Sequence, residues 1–175
     1  KTLGKDACFT VDAVEPLDND GVRVGSTAVR KALADGNIGD AAKLLGRNFE
    51  LTGTVVQGRG RGGPLGFPTA NLQAPVGLAV PGNGIYAVWA HLSGASGPRR
   101  LMCATSIGVN PTFDGTERTV EAFVLDYSGD LYGAGLTLEF VRRLRDEEQF
   151  DSVEALQSQV ERDVSQTRAV LGAGH

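Results

Sequence analysis

One glycine-rich segment has the composition of a phosphate-binding loop. It runs from Gly58 to Asn71 and reads Gly-Arg-Gly-Arg-Gly-Gly-Pro-Leu-Gly-Phe-Pro-Thr-Ala-Asn. Because glycine adopts positive φ at little cost, consecutive backbone N–H groups can turn toward a single anion. Arg59 and Arg61 add positive charge at the edge of such a loop. A plain mobile loop can have the same composition, although the Pro-Thr-Ala-Asn ending indicates order.

Two oxygen-bearing side chains end this segment at a spacing suited to a metal ion. Thr69 and Asn71 follow Pro68 on an extended stretch, where residues two apart point to the same side. A hydroxyl and an amide oxygen are hard ligands of the kind that Mg²⁺ accepts. The segment is not a Walker A loop, because no Gly-Lys-Ser/Thr follows the glycines. Pro64 and Pro68 also exclude the helix that the Rossmann fingerprint requires.

A single carboxylate lies in the middle of an apolar strand pattern. Glu121 belongs to Thr119-Val-Glu-Ala-Phe-Val-Leu-Asp126, whose two alternating faces are both apolar. The pattern therefore predicts a strand that is buried on both sides. A carboxylate in such a place is costly unless it is paired or used. One interpretation is an internal ion pair, for example with Arg118 or Arg142, and the other is a general base for a hydroxyl group.

The stretch between these regions is consistent with either a simple turn or the wall of a pocket. It reads Ser106-Ile-Gly-Val-Asn-Pro-Thr-Phe113 and turns through Gly and Asn-Pro. His91 and His175 are too isolated to predict a metal site or a catalytic triad. Trp89 lies in an apolar strand and is expected in the core.

The segments around these residues are predicted to be short β-strands. Apolar patterns bounded by turn residues indicate five of them: Phe49–Val56, Gly84–Leu92, Arg100–Ile107, Arg118–Asp126 and Leu136–Arg143. Because no helix separates them, the pattern favours an antiparallel barrel or sandwich. In the last strand Leu136, Leu138 and Phe140 share one face.

Helix signals in the first 46 residues predict a short α/β fragment. Its predicted elements are a strand near Ala7–Val14, a helix capped by Ser26 or Thr27 that runs to about Ala34 and stops at Gly36, and a helix over Ala41–Leu45 capped by Asp40. The change from a helical to a β pattern marks a boundary near Gly46–Asn48.

A longer helix is predicted at the C-terminal end. Asp151 and Glu154 have the spacing of a capping box, in which Asp151 would cap the helix. An apolar stripe follows at helical spacing: Val153, Leu156, Val160, Val164 and Leu171. We expect this stripe to pack on the barrel.

Composition and charge narrow the classes of function. The chain has 175 residues and a formal net charge of −4, which argues against a general nucleic-acid binder because phosphate backbones require clustered Lys and Arg. Cys8 and Cys103 are expected to be reduced thiols. No run is long enough to span a bilayer and no leader is visible, so we expect a cytoplasmic protein without a membrane partner. Lys1 in place of Met indicates a piece of a longer protein.

Several motifs in this order resemble the riboflavin kinase family, whose members transfer the γ-phosphate of ATP to riboflavin and so make FMN. They are Gly58–Asn71, Ile107-Gly-Val-Asn-Pro-Thr-Phe113, Arg118-Thr-Val-Glu-Ala-Phe123, Asp130-Leu-Tyr-Gly133 and, at the start of the last helix, Phe150-Asp-Ser-Val-Glu154. The resemblance spans roughly residues 47–171. It implies a mainly β fold, a six-stranded antiparallel Greek-key barrel with a C-terminal helix.

The resemblance also implies roles for individual residues. Glu121 is expected to be the base that takes the proton from the terminal ribityl hydroxyl. Thr69 and Asn71 are expected to hold Mg²⁺ and the phosphates of ATP. Further ATP-binding residues are expected at Gly58, Gly60, Arg61, Gly62 and Pro68, where the glycine-rich segment covers the nucleotide as a flap. Flavin-binding residues are expected at Asn110, Thr112, Phe113 and Arg118.

The first 46 residues are similar to a different module. Val24-Gly-Ser-Thr-Ala-Val-Arg30, followed by Leu33 and Gly36, resembles the tail of the nucleotidyltransferase module of bacterial bifunctional FAD synthetases. Gly25 departs from that motif, which has a Ser there. We therefore expect residues 1–46 to be a remnant of an FMN adenylyltransferase module and residues 47–175 to be the riboflavin kinase domain. The parent protein is then expected to adenylylate FMN to FAD, whereas this chain is not.

Two other functions stay open from the residues. One is a non-catalytic barrel that binds a flavin or a nucleotide. The other is an interaction module that uses the apolar stripe of the C-terminal helix.

Overall fold

The computed structural model describes residues 18–19, 21–58, 66–94, 97–112 and 115–173. Its elements in chain order are the strands β1 (Asp18–Asn19) and β2 (Val22–Arg23), the helices α1 (Ser26–Ala34) and α2 (Ile38–Leu45), the strands β3 (Phe49–Val56), β4 (Ala70–Gln73), β5 (Gly84–Gly94), β6 (Gly97–Thr112), β7 (Gly115–Val124) and β8 (Gly135–Arg145), and the helix α3 (Val153–Gly172). The short strands β1 and β2 pair with each other. The predicted strand near Ala7–Val14 lies outside the described residues.

Six strands form a closed antiparallel barrel in the order β3-β4-β7-β6-β5-β8. Strands β5, β6 and β7 follow one another as neighbours, and β4, which precedes them, lies beside β7, which is a Greek-key arrangement. The six-stranded barrel that the resemblance implied is therefore confirmed. The apolar pattern alone predicted five strands and missed β4, because this strand has four residues and follows a segment rich in Gly and Pro.

The barrel interior is built from alternating residues, as the pattern predicted for β8. Leu136, Leu138 and Phe140 are all fully buried. The ring of Phe140 meets the ring of Tyr86 edge-on, with 5.4 Å between centroids. Trp89 is buried as expected, but it lies on the outer face of β5 in a second cluster with residues of α3.

The two N-terminal helices pack against the barrel. Leu33, Ile38 and Ala41 are buried in the same apolar cluster as the barrel interior. Gly36 ends α1 as predicted, with a φ of 75° that places it in the left-handed region. The predicted N-caps are wrong. Ser26 is already helical behind Gly25, whereas Asp40 lies in the first turn of α2 behind Asn37.

Helix α3 begins one residue later than the predicted capping box. The Ser152 hydroxyl accepts the hydrogen bond from the Ala155 N–H, at 3.1 Å, so Ser152 and not Asp151 caps the helix. The buried side chains of α3 are those of Asp163, Thr167 and Leu171, while Val153 at the start of the predicted stripe is exposed. The packed face is therefore rotated toward polar residues. None of the helices in the described part of the chain is long and apolar enough to cross a membrane.

Candidate active site

Pairing between β4 and β7 brings three predicted residues together. Asn71 lies directly opposite Glu121, and Ala70 lies opposite Ala122. Side chains of directly opposite residues share one face of the sheet, and Thr69, two residues before Asn71, belongs to the same face. The Thr69 hydroxyl donates a hydrogen bond to Glu121 Oε2 at 3.2 Å. A hydroxyl, an amide and a carboxylate thus meet on the outside of the barrel.

Gly58 is required by the position of the Asn71 side chain. A Cβ atom added at Gly58 would lie 1.8 Å from Asn71 Nδ2, much closer than any real contact. The first glycine of the segment therefore leaves room for the Asn71 amide. Gly60, Arg61 and Gly62 lie outside the described residues.

The strand that carries Glu121 is buried on one face only. Val120, Ala122 and Val124 point into the barrel core and are nearly fully buried. Glu121 and Phe123 are half-buried on the other face, where they line a pocket. The prediction that both faces of this strand are buried is therefore wrong, because the apolar Phe123 on the second face lines a pocket and not a core.

The predicted ion pair of Glu121 does not form with the cations in the described part of the chain. Arg118 instead donates hydrogen bonds to the Pro81 carbonyl at 2.6 Å and to Asn83 Oδ1 at 3.3 Å. Arg142 lies exposed on β8. Because none of the described cations pairs with it, the Glu121 carboxylate can interact with a ligand.

An apolar pocket opens between the barrel and α3. It encloses about 410 Å³, and we call it the acceptor pocket. Phe67 and Phe123 meet edge-on in its wall, with 5.5 Å between ring centroids. The remaining lining includes Thr69, Ser106, Glu121, Arg145, Glu147, Phe150, Leu156, Val160 and Asp163. This aromatic and apolar lining suits a flat ring, and Thr69 and Glu121 add polar groups to the same pocket.

Two further cavities adjoin these residues, and the larger of them is mainly polar. One encloses about 610 Å³ and includes Gly58, Asn71 and Glu121, and the other encloses about 540 Å³ and includes Gly58, Thr69 and Asn71. The second also contains the loop from Tyr127 to Tyr132. Glu121 therefore stands at the junction of an apolar pocket and a polar cavity.

A buried ion pair holds α3 beside the acceptor pocket. Arg145 Nε and its terminal nitrogen donate to the two oxygens of Asp163 at 2.9 and 2.7 Å, and the Gln159 amide donates to Asp163 Oδ1 at 2.9 Å. These bonds to Asp163 outweigh burial and raise the pKa of Arg145. Sequence reasoning missed this pair, because Arg145 and Asp163 lie 18 positions apart on different elements.

The predicted flavin-binding residues are only partly placed. Asn110 and Thr112 lie on β6, paired in register with Glu117 and Gly115 of β7. Phe113 lies outside the described residues. Arg118 lines the larger polar cavity and does not line the acceptor pocket.

Glu147 is a carboxylate that sequence reasoning did not select. It lines the acceptor pocket between β8 and α3. Burial raises the pKa of Glu147, and the negative charge of Glu121 adds to this increase. A hydrogen bond with Asn83 and the positive charges of Arg118 and Arg145 act in the opposite direction. In the structure Gly108 leaves space for this carboxylate, because a Cβ at Gly108 would lie 2.1 Å from Glu147 Oε1.

The donor atoms around Glu121 fit a hard divalent cation. No three His, Cys, Asp or Glu side chains in the described ranges are close enough to form a metal cage. Mg²⁺ rarely uses such a cage, because it keeps several water ligands and takes one or two protein oxygens plus phosphates. The Thr69 hydroxyl, the Asn71 amide and the Glu121 carboxylate supply oxygens of that kind on one face.

Comparison with known proteins decides the family. The sequence profile of the family described as Flavokinase: Riboflavin kinase matches residues 45–171. The chain belongs to the riboflavin kinase family. A bifunctional riboflavin kinase/FMN adenylyltransferase from Pseudomonas fluorescens is 41% identical over 163 residues, which cover 93% of this chain and 51% of that protein. The chain spans about half the length of the curated relatives it matches.

Two solved structures show the same architecture as this member of the riboflavin kinase family. A riboflavin kinase from Trypanosoma brucei has a TM-score of 0.56 and 26% identity, covering 71% of this chain and 80% of that one. A macrolide-efflux protein from Streptococcus pneumoniae has a TM-score of 0.81 and 35% identity, covering 89% of this chain and 50% of that one. The matched family is one of kinases.

Proposed function

We propose that this chain transfers the γ-phosphoryl group of ATP to the terminal ribityl hydroxyl of riboflavin and releases FMN and ADP. The observation that carries the proposal is the position of Glu121. It lies opposite Asn71, accepts a hydrogen bond from Thr69 and faces both the acceptor pocket and a polar cavity. A group at this junction can contact an alcohol on one side and a phosphate on the other.

Glu121 acts as the general base. A primary alcohol is a weak nucleophile at neutral pH, so a carboxylate that accepts its proton assists attack on phosphorus. The Thr69 hydroxyl bonds one carboxylate oxygen and so fixes the orientation of the group. The second oxygen is left to receive the proton from the ribityl hydroxyl.

The isoalloxazine ring of riboflavin lies in the acceptor pocket. Phe67, Phe123 and Phe150 supply aromatic surface for a flat ring, and Leu156 and Val160 of α3 cover it. Removing this ring from water supplies most of the binding free energy, because the effect scales with the apolar area buried. The ribityl chain then extends toward Glu121.

ATP occupies the two cavities beside β4 that Gly58 and Asn71 line. Thr69 and Asn71 hold Mg²⁺ and the phosphates, and Mg²⁺ supplies neutralisation of the phosphate charge when bound. The segment from Gly58 to Pro68, with Gly60, Arg61 and Gly62, covers the nucleotide, and Gly58 leaves space for the Asn71 amide. Asn110, Thr112, Phe113 and Arg118 are proposed to complete the flavin side.

Residues 1–46 are proposed to belong to an adenylyltransferase module that the parent protein completes, with residues 47–175 as the kinase domain. Curated relatives carry both activities in their names and are about twice as long as this chain. Ser26, Thr27 and Arg30, which would contribute to that module, are exposed on α1.

A flavin fluorescence titration tests the proposal. Riboflavin fluorescence should fall on saturable binding to the chain, and adding MgATP should convert the bound flavin to FMN, which chromatography separates from riboflavin. Saturable binding without conversion would instead indicate a non-catalytic flavin-binding barrel. Absence of any flavin binding would favour the other alternative, an interaction module that uses the apolar stripe of α3.

A further inference from the structure

The acceptor pocket contains carboxylates that the proposed mechanism does not use: Glu147, Glu148 and Asp163 line it together with Glu121. Glu147 lies on the segment between β8 and α3, and its carboxylate rests over Gly108 of β6. Gly108 pairs with Thr119 in the same ladder in which Ser106 pairs with Glu121. Gly108 and Ser106 are two residues apart, which corresponds to ~7 Å along a strand and places both on one face. The Glu147 carboxylate, which lies over Gly108, is therefore about that far along the sheet from the Ser106–Glu121 pair.

The charge of Glu147 is not neutralised by an ion pair with a cation among the described residues. Arg145, the nearest candidate on β8, is already bound by both oxygens of Asp163. Arg118 is held by the Pro81 carbonyl and by Asn83. Glu147 itself has a hydrogen bond with Asn83, and its electrostatic interaction with Glu121 is repulsive. Of the four carboxylates that line the pocket, Asp163 and Glu148 therefore pair with Arg145, whereas Glu121 and Glu147 have no ion pair with a cation in the described part of the chain.

The negative charge of Glu147 is expected to affect the binding of substrate and product differently. Riboflavin brings an uncharged hydroxyl to Glu121, whereas FMN carries a phosphate with a charge of about −1.5 to −2 at the same place. At a separation of ~7 Å, a unit charge and a phosphate repel each other by an amount that changes an equilibrium constant several-fold, even in a high dielectric. The same carboxylate has little effect on a neutral alcohol.

We propose that Glu147 is a specificity-determining residue that disfavours the phosphorylated product in the acceptor pocket and so promotes release of FMN. This inference rests on the proposed function, because it assumes that the ribityl end of the flavin lies at Glu121. Gly108 is required for this position of Glu147, since any side chain at residue 108 would displace the Glu147 carboxylate. Arg118 and Asn83 limit the repulsion without removing it.

The test compares the affinities of two flavins for one set of variants. Dissociation constants of riboflavin and FMN are measured by fluorescence titration without nucleotide, for the wild-type chain, Glu147→Gln and Glu147→Lys. Glu161→Gln, which removes the same charge from an exposed position on α3, is the matched control. Retained riboflavin binding shows that each variant is folded.

We expect Glu147→Gln to tighten FMN binding by about threefold to tenfold relative to riboflavin, and Glu147→Lys to tighten it further. The gain should shrink as salt is added, because these charges face an open pocket. Glu161→Gln should leave the ratio of the two affinities unchanged. An unchanged ratio in Glu147→Gln, or equal changes for both flavins, would overturn the inference while leaving the kinase proposal intact. Failure of the wild-type chain to bind riboflavin would overturn both.

Discussion

At the scale of single residues, chemistry depends on which side chains the strands bring together. Thr69 and Asn71 were selected because residues two apart on an extended segment share a side, and their register with Glu121 puts all three on one face. The sequence could not show that β4 and β7 are neighbours, since that pairing joins positions 50 residues apart. It also could not show that Phe123 lines a pocket, because pocket and core select the same apolar residues.

Replacing Glu121 with Gln should keep the fold and riboflavin binding but lower turnover by about 10²-fold or more. The amide has nearly the same shape as the carboxylate and can still accept the Thr69 hydroxyl, but it cannot take a proton at neutral pH. FMN formation under saturating substrates measures the loss, and fluorescence titration measures binding. Glu50→Gln, an exposed position on β3, is the control. Turnover at the wild-type rate in Glu121→Gln would mean that the base lies elsewhere.

Replacing Gly58 with Ala should weaken MgATP binding more than riboflavin binding. The new methyl group would have to occupy space 1.8 Å from Asn71 Nδ2, so the Asn71 amide must leave its position opposite Glu121. Calorimetric titration of each ligand measures the two effects. Gly39→Ala in α2 is the contrasting control, because no atom lies within 4 Å of the new methyl group there. It should raise stability slightly, since alanine favours a helix. Equal losses for both ligands in Gly58→Ala would assign Gly58 to the fold instead of the nucleotide site.

At the scale of elements, periodic patterns identified the long strands and the last helix but only part of the packed face of that helix. The predicted stripe ran from Val153 to Leu171, yet the buried positions are Asp163, Thr167 and Leu171. An apolar pattern cannot predict a buried carboxylate whose partner, Arg145, lies on another element. The cap at Ser152 was missed for a related reason, since Asp151 and Ser152 are both good caps and only the position of the first helical turn decides between them.

Replacing Asp163 with Asn should loosen α3 from the barrel and weaken riboflavin binding. Arg145 and Asp163 are both largely buried, and removing the Asp163 charge leaves the guanidinium with only the more distant Glu148 carboxylate, at 3.9 Å. We therefore expect the free energy of unfolding to fall by about 2–3 kcal/mol. Chemical denaturation and flavin titration measure the two effects. Asp126→Asn is the matched control, because it breaks an exposed bidentate pair with Arg168 and should change stability little. Unchanged riboflavin affinity in a destabilised Asp163→Asn would show that α3 does not form a wall of the flavin site.

At the scale of the whole molecule, the N-terminal helices and the barrel share one apolar core. The predicted boundary near residue 46 follows a change in pattern, and the assignment of residues 1–46 to an adenylyltransferase module remains a proposal. Packing crosses it, since Leu33, Ile38 and Ala41 are buried with the barrel interior and the Gly82 N–H donates to the Leu33 carbonyl at 2.7 Å. The sequence pattern could not predict this packing, because it indicates where helices and strands begin and end but not which elements they contact.

Replacing Leu33 with Ala should destabilise the barrel itself. Leu33 is 1% exposed, and truncating a buried leucine typically costs about 2–5 kcal/mol through lost burial and the cavity left behind. Chemical denaturation followed by both helical and β-sheet signals should show a single transition at lower denaturant. Lys31→Ala, on the exposed side of the same helix, should shift stability by less than about 0.5 kcal/mol. Separate transitions for the helices and the barrel would mean that the two parts fold independently.

The measurement that tests the central claim most directly is a product assay on the 175-residue chain with two substrate pairs. One mixture contains riboflavin and MgATP, the other FMN and MgATP, and chromatography separates riboflavin, FMN and FAD. We expect FMN to form in the first mixture, because Glu121 lines both the acceptor pocket and the larger, polar cavity, with Thr69 and Asn71 beside it. We expect no FAD in the second. FAD in the second mixture would show that residues 1–46 are misread, and absence of FMN in the first, from a chain that still binds riboflavin saturably, would contradict the assignment of Glu121 and its neighbours to phosphoryl transfer.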